Sequence, residues 1–148
     1  MKRVIIMRGL PGSGKSFYLK KHYPDACVCS ADHFFEDESG KYHFDPSKLN
    51  EAHKACLGKF LGLLQAGESI VCVDNTNMTS WEMSPYRSLA NLFGYGVTIV
   101  RVLCTLENAI ERNVHDVPDF VLERMINSME EIPGCWSLIR TTFVNKTH

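Results

Sequence analysis

A glycine-rich segment near the start of the chain carries the clearest chemical signal. Residues 9–16 read Gly-Leu-Pro-Gly-Ser-Gly-Lys-Ser and match the pattern G-x-x-x-x-G-K-S. Glycines let a loop close tightly around an anion, so that backbone N–H groups and a following helix N-terminus point at a phosphate. A lysine in the loop adds a mobile charge for the β- and γ-phosphates, and the serine hydroxyl after it is a ligand for Mg²⁺. The segment therefore predicts a nucleoside triphosphate site made of Gly9, Pro11, Gly12, Ser13, Gly14, Lys15 and Ser16.

Two aspartates follow short apolar segments and are the candidates for the remaining chemistry. Asp32 comes shortly after Cys27–Cys29, and Asp74 closes the segment 70–74. Ligands bind outside the carboxyl ends of parallel strands, so both carboxylates are expected to face the phosphates. Asp32 is predicted to take the proton of an attacking hydroxyl, and Asp74 to hold the water shell of Mg²⁺. The alternative for Asp32 is a helix N-cap, and the alternative for Asp74 is a helix cap or turn residue. His33 is interpreted as a loop or packing histidine and not as a second base.

Arg112 lies between two predicted helices late in the chain and is a further candidate. An arginine on a lid would close over the triphosphate and stabilise the charge of the transition state. The alternative is a solvated surface arginine. His115 lies in the same segment and is a second polar candidate there.

The segments that must position these residues alternate between two patterns. Short apolar runs predict four buried strands, at residues 4–7, 27–29, 70–73 and 97–103. Helical spacing and stop signals predict helices at residues 15–23, 46–65, 79–93, 106–112 and 118–131. The second helix should bury Leu49, Ala52, Cys56, Phe60 and Leu63. Alternating strands and helices indicate an α/β fold with a parallel sheet, and residues 133–148 form an unassigned C-terminal tail.

Composition narrows the class of protein. A chain of 148 residues with 45% hydrophobic and 22% charged residues suits one domain covering residues 1–148. A net charge of −1 lacks the cationic excess of proteins that bind nucleic acid tightly at any sequence. No apolar run reaches the roughly 18 to 20 residues that span a bilayer, so we expect a cytoplasmic protein without membrane contact. The six cysteines include no C-x-x-C pair and are expected to be reduced packing residues.

Several later motifs resemble a known family. They are Ser30-Ala31-Asp32, Tyr42-x-Phe44-Asp45-Pro46, Asp74-Asn75-Thr76-Asn77, Trp81-Glu82 and Arg112-Asn113-x-His115-x-Val117-Pro118. Together with the glycine-rich loop they resemble the kinase and ATPase group typified by the Nedd-four-binding-protein-two kinase domain. That group is similar to phage polynucleotide 5′-kinases. The similarity runs from about residue 3 to about residue 131.

The resemblance implies a three-layer P-loop NTPase fold with strand order 2-3-1-4 and a short helical lid. It also implies ATP- and Mg²⁺-dependent phosphorylation of a hydroxyl acceptor, a polynucleotide 5′-hydroxyl. In this resemblance Asp32 matches the general base and Arg112 the lid arginine. The chain departs from the phage enzymes at Phe35, where they carry an arginine for the acceptor phosphate. It departs again at the second lid arginine, near which it has His115 and Asp116.

Three functions stay open on the sequence alone. A polynucleotide kinase would need an acceptor groove, for which Phe34, Phe35, Tyr42 and His43 are the local candidates. The alternative for these side chains is that they pin the polar loop onto the domain. A small-molecule kinase would use the same apparatus and is favoured by the near-neutral charge. A regulatory nucleotide-binding domain would dispense with the base or the loop lysine, whereas this chain has both.

Overall fold

A computed structural model of the chain describes residues 1–103, 106–111, 117–128 and 139–143. The five strands are β1 (Arg3–Arg8), β2 (Cys27–Cys29), β3 (Ile70–Asp74), β4 (Gly96–Leu103) and β5 (Ile139–Phe143). The α-helices are α1 (Lys15–His22), α2 (Leu49–Gln65), α3 (Ser80–Leu92), α4 (Leu106–Glu111) and α5 (Asp119–Ser128), with 3₁₀ helices at Ala31–Phe35 and Pro46–Lys48. Within these ranges no helix combines the length and the apolar character needed to cross a membrane.

The strands pair in parallel in the order β2-β3-β1-β4-β5, which confirms the predicted order 2-3-1-4. The fifth strand comes from the segment that the sequence pattern left unassigned, and its register with β4 begins at Ile99 and Ile139. Met7 lies opposite Asp74, and Cys29 lies opposite Val73. Because parallel strands end at one edge of a sheet, the loops after β1, β2 and β3 meet there.

Different helices cover the two faces of the sheet. Val4 and Ile6 of β1 pack in a cluster with α2 and α3, whereas Ile5 and Met7 pack with α1. Successive side chains of a strand point to opposite faces, so a continuous apolar run is what a doubly covered strand requires. The result is the expected three-layer arrangement of helices, sheet and helices.

The second helix differs from its prediction at both ends of its buried face. Residues 46–48 form a 3₁₀ turn, and the Asp45 side chain caps it by accepting a hydrogen bond of 3.0 Å from the Ser47 N–H. Leu49 is 41% exposed and Leu63 only half-buried, and the core residues of α2 are Ala52, Cys56, Phe60 and Leu64. Periodicity identifies a helix face, but it does not tell how far along the axis the sheet covers that face.

The helix after β3 begins as the sequence predicts. Thr79 is its N-cap, and the Thr79 hydroxyl accepts a hydrogen bond of 3.2 Å from the Glu82 N–H. Gly94 follows the end of α3 with a φ of +78°, a left-handed conformation that favours glycine. These caps fix where α3 starts and ends, and therefore the length of the loop 75–79 that borders the site.

The cysteines of the described residues are free thiols. They are Cys27, Cys29, Cys56 and Cys72, of which the last three are buried. Burial raises the pKa of the Cys29 thiol to about 12 and that of Cys72 to about 12, so both stay protonated at neutral pH. Cys104 and Cys135 lie outside the described residues.

Candidate functional site

The glycine-rich loop joins β1 to α1 at the carboxyl edge of the sheet. The loop turns back on itself through a hydrogen bond of 3.0 Å from the Ser13 N–H to the Leu10 carbonyl. Gly12 and Gly14 have φ values of +79° and +105°, which a side chain at Cβ disfavours. Gly14 is also the N-cap of α1, so the loop delivers the chain directly to a helix N-terminus. This is the local geometry that phosphate binding by backbone N–H groups requires.

Gly9 and Ser13 pack against each other inside the loop. A Cβ built on Gly9 would lie 2.7 Å from the Val102 carbonyl oxygen and 2.8 Å from the Ser13 Oγ. The Ser13 Oγ is wholly buried and has no hydrogen-bond partner in the described part of the chain. A buried hydroxyl without a partner costs free energy. Phosphate oxygens of a bound nucleotide are acceptors that such a hydroxyl fits.

Replacing Gly9 by alanine should damage this loop. The added methyl group meets a backbone carbonyl that cannot move without disturbing β4, so we expect a loss of about 1–3 kcal/mol in unfolding free energy. Nucleotide affinity should fall with it, measured by titration of a fluorescent nucleotide. Gly58→Ala is the matched control, because a Cβ there meets nothing within 4 Å and the position is helical. A Gly9→Ala protein as stable as Gly58→Ala would contradict the predicted clash.

The Lys15 side chain folds back over the loop. Its ammonium Nζ donates hydrogen bonds of 3.0 Å to the carbonyl oxygens of both Gly9 and Leu10. Lysine is a compact charge on a flexible four-carbon stem, so it can follow an anion that enters the loop. The positive charge thus lies against the start of the glycine-rich loop.

Ser16 and Asp74 are in direct contact across the sheet edge. The Ser16 hydroxyl donates a hydrogen bond of 2.8 Å to Asp74 Oδ2, although the two residues are 58 positions apart in the chain. A hydroxyl and a carboxylate are hard oxygen donors of the kind that Mg²⁺ takes alongside substrate phosphates. No group of three or more His, Cys, Asp or Glu side chains in the described ranges is arranged to hold a metal ion. The pair therefore fits Mg²⁺ held together with a nucleotide.

Asp32 lies in the first turn of the 3₁₀ helix after β2. The residue that caps this helix is Ser30, whose hydroxyl accepts a hydrogen bond of 3.2 Å from the Asp32 backbone N–H. The N-cap alternative for Asp32 is therefore wrong, because its side chain is not used as the cap. The preceding Ala31 N–H donates to the Asn75 side-chain oxygen at 2.9 Å. Asn75 follows Asp74 directly, so this hydrogen bond ties the Asp32 turn to the Ser16 and Asp74 pair.

The Tyr42 side chain contacts the Asp32 carboxylate. Its hydroxyl donates to Asp32 Oδ1 at 3.3 Å. Burial, the nearby Asp32 charge and this hydrogen bond raise the pKa of the Tyr42 phenol well above its usual range. The Tyr42 phenol therefore stays protonated at neutral pH and can donate this hydrogen bond.

Tyr42→Phe should lower turnover while leaving nucleotide affinity unchanged. The contact is long for an O–H···O hydrogen bond, so we expect a loss of about three- to tenfold, equivalent to roughly 1 kcal/mol. The ring remains in place, so the surrounding packing should be preserved. The measurement is kcat and KM for the nucleotide in both proteins. Equal kcat values would show that the contact does not orient Asp32.

A buried brace behind the loop was not foreseen from the sequence. Arg8 is 2% exposed, and its guanidinium donates to the carbonyl oxygens of Asn77 and Met78 at 3.1 and 2.9 Å. The Asn77 side-chain amide donates in turn to the Met7 carbonyl, and Asn77 has a φ of +48°. The brace holds the end of β1 against the loop after β3. Its only sequence signal is an arginine ending an apolar strand and an asparagine in a polar turn.

The contacts described above do not include every residue that the sequence predicted for the site. Arg112 and His115 lie outside the described residues, and their roles stay predictions. Helix α5 follows this segment in the chain, and its Leu122 is fully buried and packs with Leu10 of the loop. His33 is exposed. Phe35 is 5% exposed and belongs to the core, so the position at which the phage enzymes carry an arginine is a packing position here.

The sequence matches a family model, and a human protein is among its relatives. The family described as AAA domain matches residues 4–132. NEDD4-binding protein 2 from Homo sapiens is 34% identical to the chain over 131 residues. That match covers 83% of this chain but only 7% of the human protein, so the chain spans a small part of its relative.

Solved structures with the same fold have low sequence identity to this chain, as two examples show. A gluconokinase from Sinorhizobium meliloti 1021 superposes with a TM-score of 0.64 at 15% identity, covering 98% of this chain and 84% of that one. A chain of the Pnkp1/Rnl/Hen1 RNA repair complex superposes with a TM-score of 0.62 at 15% identity. The superposition covers 86% of this chain and 44% of the chain in the complex. At this identity the likeness shows the fold and leaves the acceptor open.

Proposed function

This chain belongs to the AAA domain family of P-loop kinases, and on that premise we propose that it transfers the γ-phosphate of ATP to a hydroxyl acceptor, with a polynucleotide 5′-hydroxyl as the first candidate. The observation that carries the proposal is the hydrogen bond between Ala31 and Asn75. This hydrogen bond holds the Asp32 turn beside the Ser16 and Asp74 pair. The candidate base, two oxygen ligands suited to Mg²⁺ and the phosphate loop therefore lie at the same edge of the sheet.

In the proposed reaction the Asp32 carboxylate accepts the proton of the acceptor hydroxyl. The hydroxyl oxygen forms a bond to the γ-phosphorus while the bond from that phosphorus to the β–γ bridging oxygen breaks. The products are ADP and a phosphate monoester, and Asp32 then releases its proton to water. Lys15 and the loop N–H groups neutralise charge on the phosphates without chemical change. Arg112 is proposed to add charge from the lid.

Mg²⁺ fits the Ser16 and Asp74 oxygen pair. Ser16 would be the direct ligand, and Asp74 would hold the water shell. When bound, the ion supplies charge stabilisation to the phosphate oxygens. Activity that depends on Mg²⁺ or Mn²⁺ supports this assignment, and activity unaffected by a chelator contradicts it.

One observation supports a polynucleotide acceptor. The motifs after the phosphate loop resemble the group related to phage polynucleotide kinases. One observation favours a small-molecule acceptor instead. Phe35 is buried where the phage enzymes use an arginine, so the chain has no cation at that position for an acceptor phosphate.

The deciding experiment is a transfer assay with γ-labelled ATP and a panel of acceptors. The panel contains 5′-hydroxyl DNA, 5′-hydroxyl RNA, free nucleosides and polyols such as gluconate, each with Mg²⁺. Label on the oligonucleotides supports the first candidate, and label on a polyol alone supports the second. Release of free phosphate at the same rate with and without every acceptor would mean an ATPase and would overturn both.

A further inference from the structure

Four aromatic side chains form a cluster beside Asp32, which we call the aromatic platform: Phe34, Phe35, Tyr42 and Phe44. Phe35 lies at its centre, with ring centroids 5.3, 6.0 and 5.1 Å from those of Phe34, Tyr42 and Phe44. Tyr42 and Phe44 are parallel, with an interplanar angle of 1° and centroids 6.2 Å apart. The platform reaches the candidate base through the Tyr42 hydroxyl.

The platform is anchored at its centre and open at its ends. Phe35 is 5% exposed, whereas Phe34 is 40% and Phe44 is 50% exposed. If these rings served only to pin the loop to the domain, burying their faces would be worth about 25 cal/mol for each Å² of apolar surface. The rings of Phe34 and Phe44 stay partly exposed, so they do not gain much of this stabilisation. They present aromatic surface to solvent, and Tyr42 connects the platform to Asp32.

Hydrogen bonds hold the loop that carries the platform in one conformation. Glu36 and Tyr42 form an antiparallel bridge, and the His43 N–H donates to the Phe35 carbonyl at 2.8 Å. Between them the Asp37 carboxylate accepts hydrogen bonds from the Ser39 hydroxyl at 2.6 Å and the Lys41 N–H at 2.9 Å. A preorganised aromatic surface loses little conformational freedom when a ligand stacks on it.

We propose that the aromatic platform stacks the terminal base of a nucleic acid whose 5′-hydroxyl lies at Asp32. The inference rests on the proposed function, because that function places the acceptor hydroxyl at this carboxylate. Tyr42 contacts Asp32 through its hydroxyl and lies parallel to Phe44 through its ring, so the aromatic platform adjoins the carboxylate at which the 5′-hydroxyl would lie. Every base has a π-face, so stacking selects a nucleotide without selecting its sequence.

The charges around the platform favour recognition of the base over recognition of phosphates. Glu36, Asp37 and Glu38 are exposed on the same loop, which also carries the exposed Lys41 and His43, so acids outnumber lysines there by three to one. Hydrogen bonds from the side chains of Ser39 and His43 hold the pKa of the Asp37 carboxyl well below its usual range, so it is ionised at neutral pH. Phosphates next to these acids would be repelled. We therefore expect the affinity for oligonucleotides to depend only weakly on salt. A plot of the logarithm of the binding constant against the logarithm of the salt concentration should have a slope that corresponds to about one phosphate contact or fewer.

The test compares two trinucleotides that carry a 5′-hydroxyl and a 3′ fluorophore. One has a normal 5′-terminal nucleotide, and the other has an abasic sugar at that position. Fluorescence anisotropy measures binding to the full chain in the presence of a non-hydrolysable ATP analogue. We expect the base to improve affinity about tenfold, within the range of one base stacked on an aromatic side chain. Equal affinities for the two oligonucleotides would overturn the inference, and this comparison needs no variant.

Two variants then locate the effect. Phe44→Ala should reduce the preference for the base to about twofold or less, with Phe34→Ala as the second platform variant if Phe44→Ala does not fold. Phe93→Ala is the matched control, because Phe93 is 37% exposed at the end of α3 and lies outside the platform. A loss of preference in Phe93→Ala equal to that in Phe44→Ala would contradict the assignment.

The outcomes separate this inference from the proposed function. Transfer of labelled phosphate to both oligonucleotides without a preference for the base supports the kinase and overturns the platform. Binding that depends on the base, without transfer to any oligonucleotide, supports the platform and overturns the polynucleotide kinase. Competition by gluconate that weakens in Phe44→Ala would assign the rings to a polyol and overturn the inference.

Discussion

Lys15→Ala is expected to lower phosphoryl transfer by about 10³-fold or more and to weaken nucleotide binding as well. Lys15 is the only lysine or arginine among residues 9–16. Its ammonium lies 3.0 Å from the carbonyl oxygens of Gly9 and Leu10, over the loop that would hold the phosphates. No other side chain of the loop offers a positive charge, so the loss should affect the ground state and the transition state. Initial rates with γ-labelled ATP and titration of a fluorescent nucleotide measure the two effects.

The control for this variant is Lys20→Ala, an exposed lysine on the same helix α1. It removes one charge without touching the loop, and its rate should match the parent within about twofold. Thermal unfolding of both variants should stay near that of the parent, because the Lys15 ammonium is only partly buried and water can replace it at the two carbonyl oxygens. Parent-like turnover in Lys15→Ala would remove the loop from the mechanism.

Asp32→Asn is expected to reduce transfer to the acceptor by about 10²- to 10⁴-fold, while fold and ATP affinity are preserved. The amide has the shape of the carboxylate and can still accept the hydrogen bond of the Tyr42 hydroxyl. The helix cap is also unaffected, because Ser30 bonds to the backbone N–H of Asp32 and not to its side chain. Only the capacity to take a proton is lost, so binding and chemistry should separate in this variant.

The measurements are single-turnover transfer rates, nucleotide affinity and thermal unfolding, with Asp25→Asn as the control. Asp25 is an exposed acid in the turn before β2, so the control changes the same charge away from the site. Transfer at the parent rate would require another base, with His33 and Asp74 as the next candidates. A joint loss of ATP affinity and stability would make Asp32 a structural or metal-site residue.

The phosphate loop illustrates what local sequence can predict. Its residues are contiguous, and the flanking apolar run and helix start lie within a few positions of it, so their types and spacing describe the whole unit. The same holds for Thr79 and Glu82, three residues apart at the start of α3. The exposed start of α2 shows the limit. The sequence pattern marked Leu49 as apolar and periodic, yet burial depends on whether the sheet extends beneath it.

By itself, the sequence determined the alternation of strands and helices and the position of the phosphate loop between the first strand and the first helix. It also identified Asp32 and Asp74 as candidate acids. These features follow from periodicity and chain order, which act over a few residues. Only the tertiary structure decided that Ser16 contacts Asp74 across 58 positions and that Arg8 braces Asn77 across 69. It also paired β5 with β4 and brought Tyr42 to Asp32. Such contacts depend on how parallel strands bring their carboxyl ends to one edge, and no local rule of spacing contains that information.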